Sequence, residues 1–335
     1  MKHKHLSIFI NLGILFVLLV TACAPKAAIT PEATAPPVEA TKSPSPTETQ
    51  PPEPTDTPLP TEPPPTETPE LGPEPSDLPP DPILIEFQAE DGQPLYGTFY
   101  PAAVKDAPVV VFMHWVAGNE HDWDAIAPWL QNRQGEMQAS MGVFSLLEPR
   151  PLGAPWLDDR WFPAVSETLM SPVNVFTATY RSCEGVDGCQ KWLPKEWVLD
   201  SLAMVNAASQ LPYVDSHSIV TDGASIGATG AVTGAAQHNM ESQATVVGAM
   251  SMSPGPYFDR DYTTDAKYLD DQGVLVWCLY AADDPESAPT CKSLTGEHFQ
   301  TFEYAGRSHG MLLIVPEIEP NTLQLLLDFL HMLFD

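Results

Sequence analysis

A serine framed by glycines is the residue best placed to do chemistry in this chain. In Ser218-Ile-Val-Thr-Asp-Gly-Ala-Ser-Ile-Gly-Ala-Thr-Gly230, a β-type run feeds Gly223-Ala224-Ser225-Ile226-Gly227, and an Ala/Gly-rich helical run follows. Strand, sharp turn and helix are the setting of a G-x-S-x-G nucleophile turn, which strains the serine and exposes its hydroxyl. Side chains two positions before or after the serine would collide with the flanking strand and helix, and both positions are glycine. A serine hydroxyl is a poor nucleophile alone and needs a base within hydrogen-bond reach. Downstream, the β-like run Val274–Ala281 ends in Asp283-Asp284-Pro285, and the run Gln300–Tyr304 ends in a loop carrying His309-Gly310. Nucleophile, acid and base therefore follow in the chain order Ser, Asp, His. Ser225 would attack a carbonyl, His309 would carry the proton, and an aspartate would orient the histidine. His298 precedes its strand rather than following it, and His331 falls in the last helix, where packing or surface roles suffice.

These groups need strands to end side by side. Ile83–Gln88 and Leu95–Tyr100 read as opening strands around the turn Asp91-Gly92. Val109–Met113 is a continuous apolar run, as expected of a strand buried on both faces. Val173–Thr179, the strand before Ser225, Val246–Met250, Val274–Tyr280 and Gln300–Tyr304 follow. Helices are expected from Trp123 to Leu130, over Glu196–Leu211, after Ser225 and over Asn321–Phe334. Alternation of strands and helices predicts an α/β fold with a mostly parallel, doubly wound sheet. Residues 135–172 exceed what that architecture needs and contain Leu152, Trp156, Trp161 and Phe162. They read as a cap or lid insertion over the site.

Taken together, Val109–His114 with its following loop, the Ser225 turn, the Asp284 strand end and the His309 loop resemble the α/β-hydrolase family. The likeness runs from about Ile83 to Asp335 and is nearest to dienelactone-hydrolase-like and small esterase members. It implies Ser225, Asp284 and His309 as the catalytic set, since the acid in such enzymes is commonly the last acidic residue before the Pro-type turn. Asp283 is the adjacent rival. The oxyanion hole needs backbone N–H donors, one from Ile226 directly after the nucleophile. In the family's H-G-x pattern the third residue supplies the other, which maps onto Val116. Trp115 stands where that pattern has glycine, so the donor lies between Trp115 and Val116. His114 reads as a structural residue. The implied activity is hydrolysis of a carboxylic ester or related acyl bond in a small-molecule substrate, through an acyl-enzyme and without a cofactor. A peptidase or amidase on the same fold, or a non-catalytic surface binding lipoprotein, are the alternatives.

The ends of the chain bear on location. Lys2 and Lys4 precede the apolar run Ile8–Val20, which has the length of a signal-peptide core and is short for a membrane span of ~20 residues. Val20-Thr21-Ala22-Cys23 resembles a bacterial lipobox, so residues 1–22 are expected to be a lipoprotein signal and Cys23 the lipidated anchor to a membrane. Residues 23–80 form a Pro/Thr/Glu-rich tether, with 19 of the chain's 37 prolines after Cys23. Such a segment cannot bury enough apolar surface to order itself. Residues 81–335 suit one α/β domain. They hold 11 of the 15 Lys and Arg and 34 of the 44 Asp and Glu, a net charge of −23, which argues against a nucleic-acid partner. In an exported chain the four remaining cysteines can oxidise, and the expected pairs are Cys183–Cys189 and Cys278–Cys291. Their spacing does not suit zinc. The Asp259-x-Asp261-x-Thr263-Thr264-Asp265 cluster lacks the glycine of a calcium loop, and Asp122 or Asp124 beside His121 reads as a helix cap rather than a metal site.

Replacing Cys23 by serine should abolish incorporation of labelled fatty acid into the expressed protein. Equal labelling of variant and wild type would remove Cys23 as the anchor.

Overall fold

The computed structural model describes residues 81–133, 154–165, 173–185, 187–242 and 245–334. The signal, Cys23 and the tether lie outside them, as do residues 135–153 and 166–172 of the insertion. Among the described residues no helix is long and apolar enough to cross a membrane.

Eight strands form one sheet: β1 Ile83–Gln88, β2 Pro94–Tyr100, β3 Ala107–Met113, β4 Asn174–Ala178, β5 Val214–Ala224, β6 Val246–Met252, β7 Leu275–Ala281 and β8 Phe299–Tyr304. Their order is β1-β2-β4-β3-β5-β6-β7-β8. β1 pairs antiparallel with β2, and β2 antiparallel with β4; from β4 to β8 every pairing is parallel. The apolar runs legible in the sequence are strands because both faces are covered. Alternate side chains go to opposite sides. Val109, Val111 and Met113 enter one core, while Val110 and Phe112 enter the other. Val276, Cys278 and Tyr280 divide from Trp277, Leu279 and Ala281 in the same way.

Helices cover both faces. α1 Ile126–Leu130 and α6 Thr322–Phe334 contribute to the core that holds Phe112 and Trp277. α2 Glu196–Ala208, α3 Ile226–Glu241 and α4 Tyr262–Asp271 contribute to the other, and α5 Ser287–Lys292 lies beside β7. The Asn321 side chain caps α6 by accepting from the Gln324 N–H at 3.0 Å. Both cysteine pairs are disulfide-bonded, Cys183 to Cys189 and Cys278 to Cys291.

The structure departs from the sequence reading in several places. α2 stops at Ala208 and continues to Leu211 only as turns. The helix expected from Trp123 is a 3₁₀ turn, Glu120–Trp123, followed by the short α1. Asn119 caps that turn, accepting from His121 N–H, so neither Asp122 nor Asp124 is the cap. The sequence pattern predicts neither α4 nor α5. The Asp261 cluster weighed as a calcium loop is the start of α4: Asp261 accepts from the Thr263 N–H, and Asp265 pairs with Arg260.

The parallel order turns about β3. The chain leaves β3 for β4 on one side, then returns to β5 on the other. Such a reversal opens a crevice beyond the carboxyl ends of the two flanking strands. Those ends carry Trp115-Val116 and Ser225.

On β5, Asp222 is fully buried and its Oδ1 has no hydrogen-bond partner among the described residues. Burial pushes its carboxyl well above the usual range. A raised folded-state pKa adds stability at low pH that is lost as pH rises toward it. Asp222→Asn, which cannot ionise, should therefore gain on wild type as pH rises from 4 to 8. Thermal melts across that range would show it. A difference that stays flat would mean the group does not hold its proton in the fold.

Candidate active site

The turn between β5 and α3 consists of Ser225 alone, at φ 55° and ψ −114°. A non-glycine residue at positive φ is uncommon and strained unless its surroundings over-determine it. Here they do. The Ser225 N–H donates to Met252 O at the end of β6, at 2.8 Å. A Cβ on Gly227 would lie 2.2 Å from Met113 O, and one on Gly223 would lie 2.3 Å from Gly227 O. Strand and helix meet so closely that only glycine fits at these two positions.

Ser225 Oγ lies 2.8 Å from His309 Nε2, and His309 Nδ1 lies 2.7 Å from Asp284 Oδ2. With Asp284 accepting, Nδ1 carries the proton and Nε2 is left to accept from the Ser225 hydroxyl. Burial alone would raise the Asp284 carboxyl, but donors from His309, the Ser287 hydroxyl and the Glu286 N–H outweigh it and hold it below the usual range. The neighbouring Asp283 is exposed, and its backbone N–H is bound to Gly306 O. Asp259 is also exposed, and His298 is bonded to Asp270. The structure thus brings Ser225, His309 and Asp284 into one relay and leaves the rivals outside it.

Three supporting residues were not found from the sequence. Ser287 donates its hydroxyl to Asp284 at 2.8 Å. Its signal was the Asp284-x-x-Ser287 spacing, in which the aspartate also caps the following turn. Ser253, itself at φ 62°, accepts from the Gly310 N–H at 3.0 Å and so holds the histidine loop. Tyr257 meets the His309 ring edge-to-face at 6.2 Å. Nothing in local spacing announced the last two.

The loop after β3 is held by His114. The Tyr180 N–H donates to His114 Nε2 at 3.0 Å, so the proton sits on Nδ1, which donates to Trp115 O at 2.6 Å. Complete burial pushes the imidazole down to about 4 and keeps it neutral. In a trans peptide the carbonyl and the next N–H point opposite ways. Holding Trp115 O therefore sets the direction of the Val116 N–H. Among the described residues, the N–H groups of Trp115, Val116 and Ile226 have no protein acceptor.

The Trp115 ring sits beside Gly310, where a Cβ would lie 3.2 Å from the indole and 3.4 Å from Ser225 Cβ. Trp156, from the described part of the insertion, packs edge-to-face on Trp115 at 5.6 Å. Its indole donates to Asp122 at 3.2 Å. Burial pushes Asp122 up to about 7, against the lowering by Trp156. Among the described residues no cluster of His, Cys, Asp and Glu could hold a metal ion.

No family model matches the chain, and no curated protein does. Solved structures similar to it include an esterase of Pyrococcus furiosus, at 14% identity and TM-score 0.47 over 76% of this chain and 92% of that one. An esterase of Pyrobaculum calidifontis is similar at 14% identity and TM-score 0.48, over 76% and 87%. Dipeptidyl peptidase 4 of Porphyromonas gingivalis is similar at 12% and 0.43, over 75% and 35%. Likeness at this level says nothing of substrate.

A depressed folded-state pKa at His114 gives stability that is present above about 6.5 and lost as pH falls toward about 4, on the order of 3 kcal/mol. His114→Gln should be less stable at pH 7 by roughly 1–3 kcal/mol and show a flatter acid slope in urea unfolding. Parallel slopes in the two proteins would contradict a buried neutral imidazole.

Proposed function

We propose that this chain is an exported, lipid-anchored serine hydrolase of the α/β-hydrolase type, cleaving a carboxylic ester or related acyl bond. The observation that carries the reading is the relay of 2.8 Å and 2.7 Å contacts from Ser225 through His309 to Asp284. His309 Nε2 takes the hydroxyl proton as Ser225 Oγ attacks the substrate carbonyl. The N–H groups of Ile226 and Val116 receive the charge that develops on the carbonyl oxygen, aided by the N-terminus of α3. As the tetrahedral intermediate collapses, the imidazolium gives its proton to the leaving alcohol. Asp284 stabilises that imidazolium and keeps its tautomer. Water then repeats the sequence on the acyl-enzyme, with His309 as base, and the carboxylic acid departs.

The insertion would form a wall over the acyl site, through Trp156 against Trp115. The two disulfides are consistent with an oxidising, extracytoplasmic compartment. A domain anchored at Cys23 would be held off the membrane by residues 23–80, which could reach on the order of 180 Å if fully extended. An amide would pass through the same steps with a harder leaving group, so a peptidase or amidase differs in pocket, not in relay.

A fluorophosphonate probe should label the wild-type domain and leave Ser225→Ala unlabelled. With a p-nitrophenyl ester, Asp284→Asn should lower kcat on the order of 10⁴-fold, while Asp283→Asn stays near wild type. An unlabelled wild type would favour a binding protein. A crippled Asp283→Asn beside an active Asp284→Asn would move the acid by one residue.

A further inference from the structure

Beyond β4 the described residues 179–185 and 187–190 reach the loop after β3 at several points. The start of this segment is firmly fixed. The buried Arg181 donates to Asp200 on α2 and to Asp91 in the β1–β2 turn, and its own N–H donates to Asp200 as well. The Tyr180 N–H sets the His114 tautomer. From there Cys183 N–H donates to Tyr180 O, Gln190 N–H donates to Ser182 O, and the Cys183–Cys189 disulfide closes the loop.

The closed loop presses on the chain between Trp115 and Asn119. Cys189 N–H donates to Val116 O at 2.9 Å. Gly188, at φ 74°, lies so near that a Cβ there would be 2.4 Å from Val116 O and 2.6 Å from Ala117 C. The Asn119 side chain reaches Gly185 O at 3.5 Å. Two consecutive carbonyls are therefore held, Trp115 O by His114 and Val116 O by Cys189. The peptide that carries the Val116 N–H is fixed at its own carbonyl, and the peptide after it by the closed loop.

We infer that the disulfide-closed loop Cys183–Cys189 is a positioning element for the oxyanion hole, acting through Cys189 N–H and the bare Gly188 backbone on the Val116 carbonyl. The inference rests on the serine-hydrolase reading above. Oxyanion donors act by being fixed in advance where charge will develop. A loop that holds the adjoining peptide thus acts on the transition state rather than on substrate binding. The disulfide touches neither Ser225, His309 nor Asp284, so its loss leaves the relay in place.

The test uses the Cys183→Ser/Cys189→Ser double variant and Gly188→Ala, assayed on the ester substrate at a temperature where circular dichroism shows both folded. Gly188→Ala keeps the disulfide and answers the question if the double variant does not fold. A fall in kcat on the order of 10–100-fold is expected, with KM and the acid limb of the pH profile unchanged. Affinity for a trifluoromethyl ketone, which forms an oxyanion adduct, should fall by the same factor. Wild-type kcat in a folded variant of either kind would overturn the inference. So would a loss of kcat with ketone affinity intact, or with the acid limb displaced. A wild-type domain that neither hydrolyses the ester nor takes the fluorophosphonate label would sink the underlying reading, and this inference with it.

Discussion

Everything at the site is arranged around a backbone conformation that serine seldom adopts. At φ 55°, Ser225 turns the chain from β5 into α3 within one residue, at a local cost on the order of 1–3 kcal/mol. What the turn joins offsets that cost. β5 is hydrogen-bonded between β3 and β6, and α3 lies against Met113 and His114 at the end of β3. Relaxing Ser225 to an ordinary φ would lift α3 from that contact. It would also separate Ile226 from the 115–116 loop, so the strain and the spacing of the two N–H donors are one structural property.

Legibility in the sequence followed burial. Strands covered on both faces wrote themselves as apolar runs, and β3, β5, β6 and β7 could be read within a few residues of their ends. α4 and α5 are not legible there, because they are short and carry few large apolar residues; the signal for α4 is the capping Asp261. The residues brought to the site follow the same divide. Ser225, Asp284 and His309 are legible because each terminates a strand-like run. Choosing Asp284 over Asp283 needed a family likeness, since adjacency gives no spacing to measure. Ser253, Tyr257 and the grip of Cys189 on Val116 are contacts between segments far apart in the chain, and no local pattern encodes them.

The interior of this acidic domain treats its carboxyl groups in distinct ways. Asp200 and Asp265 are matched by Arg181 and Arg260, which uses two cations of a domain that has 11 Lys and Arg in all. Asp284 is held ionised by donors at the site. Among the described residues neither Asp222 nor Asp122 has an arginine or lysine partner, and burial pushes both upward, Asp122 against a lowering by His121. Burial raises Asp200 and Asp265 as well, against the pull of their arginines, and much of the remaining negative charge lies at the surface.

The edge position of β1 has a mechanical consequence. Any pull on the chain before residue 81 enters the sheet there, at the end of the order β1-β2-β4-β3-β5-β6-β7-β8. β1 is half of an antiparallel hairpin and exposes Ile83 and Leu84. The hairpin is what such a force would peel first. Ser225 lies at the end of β5, three strands beyond β2, and the Asp284 and His309 strands are farther still. A pull entering at β1 would therefore bear first on strands that contribute no group to the relay.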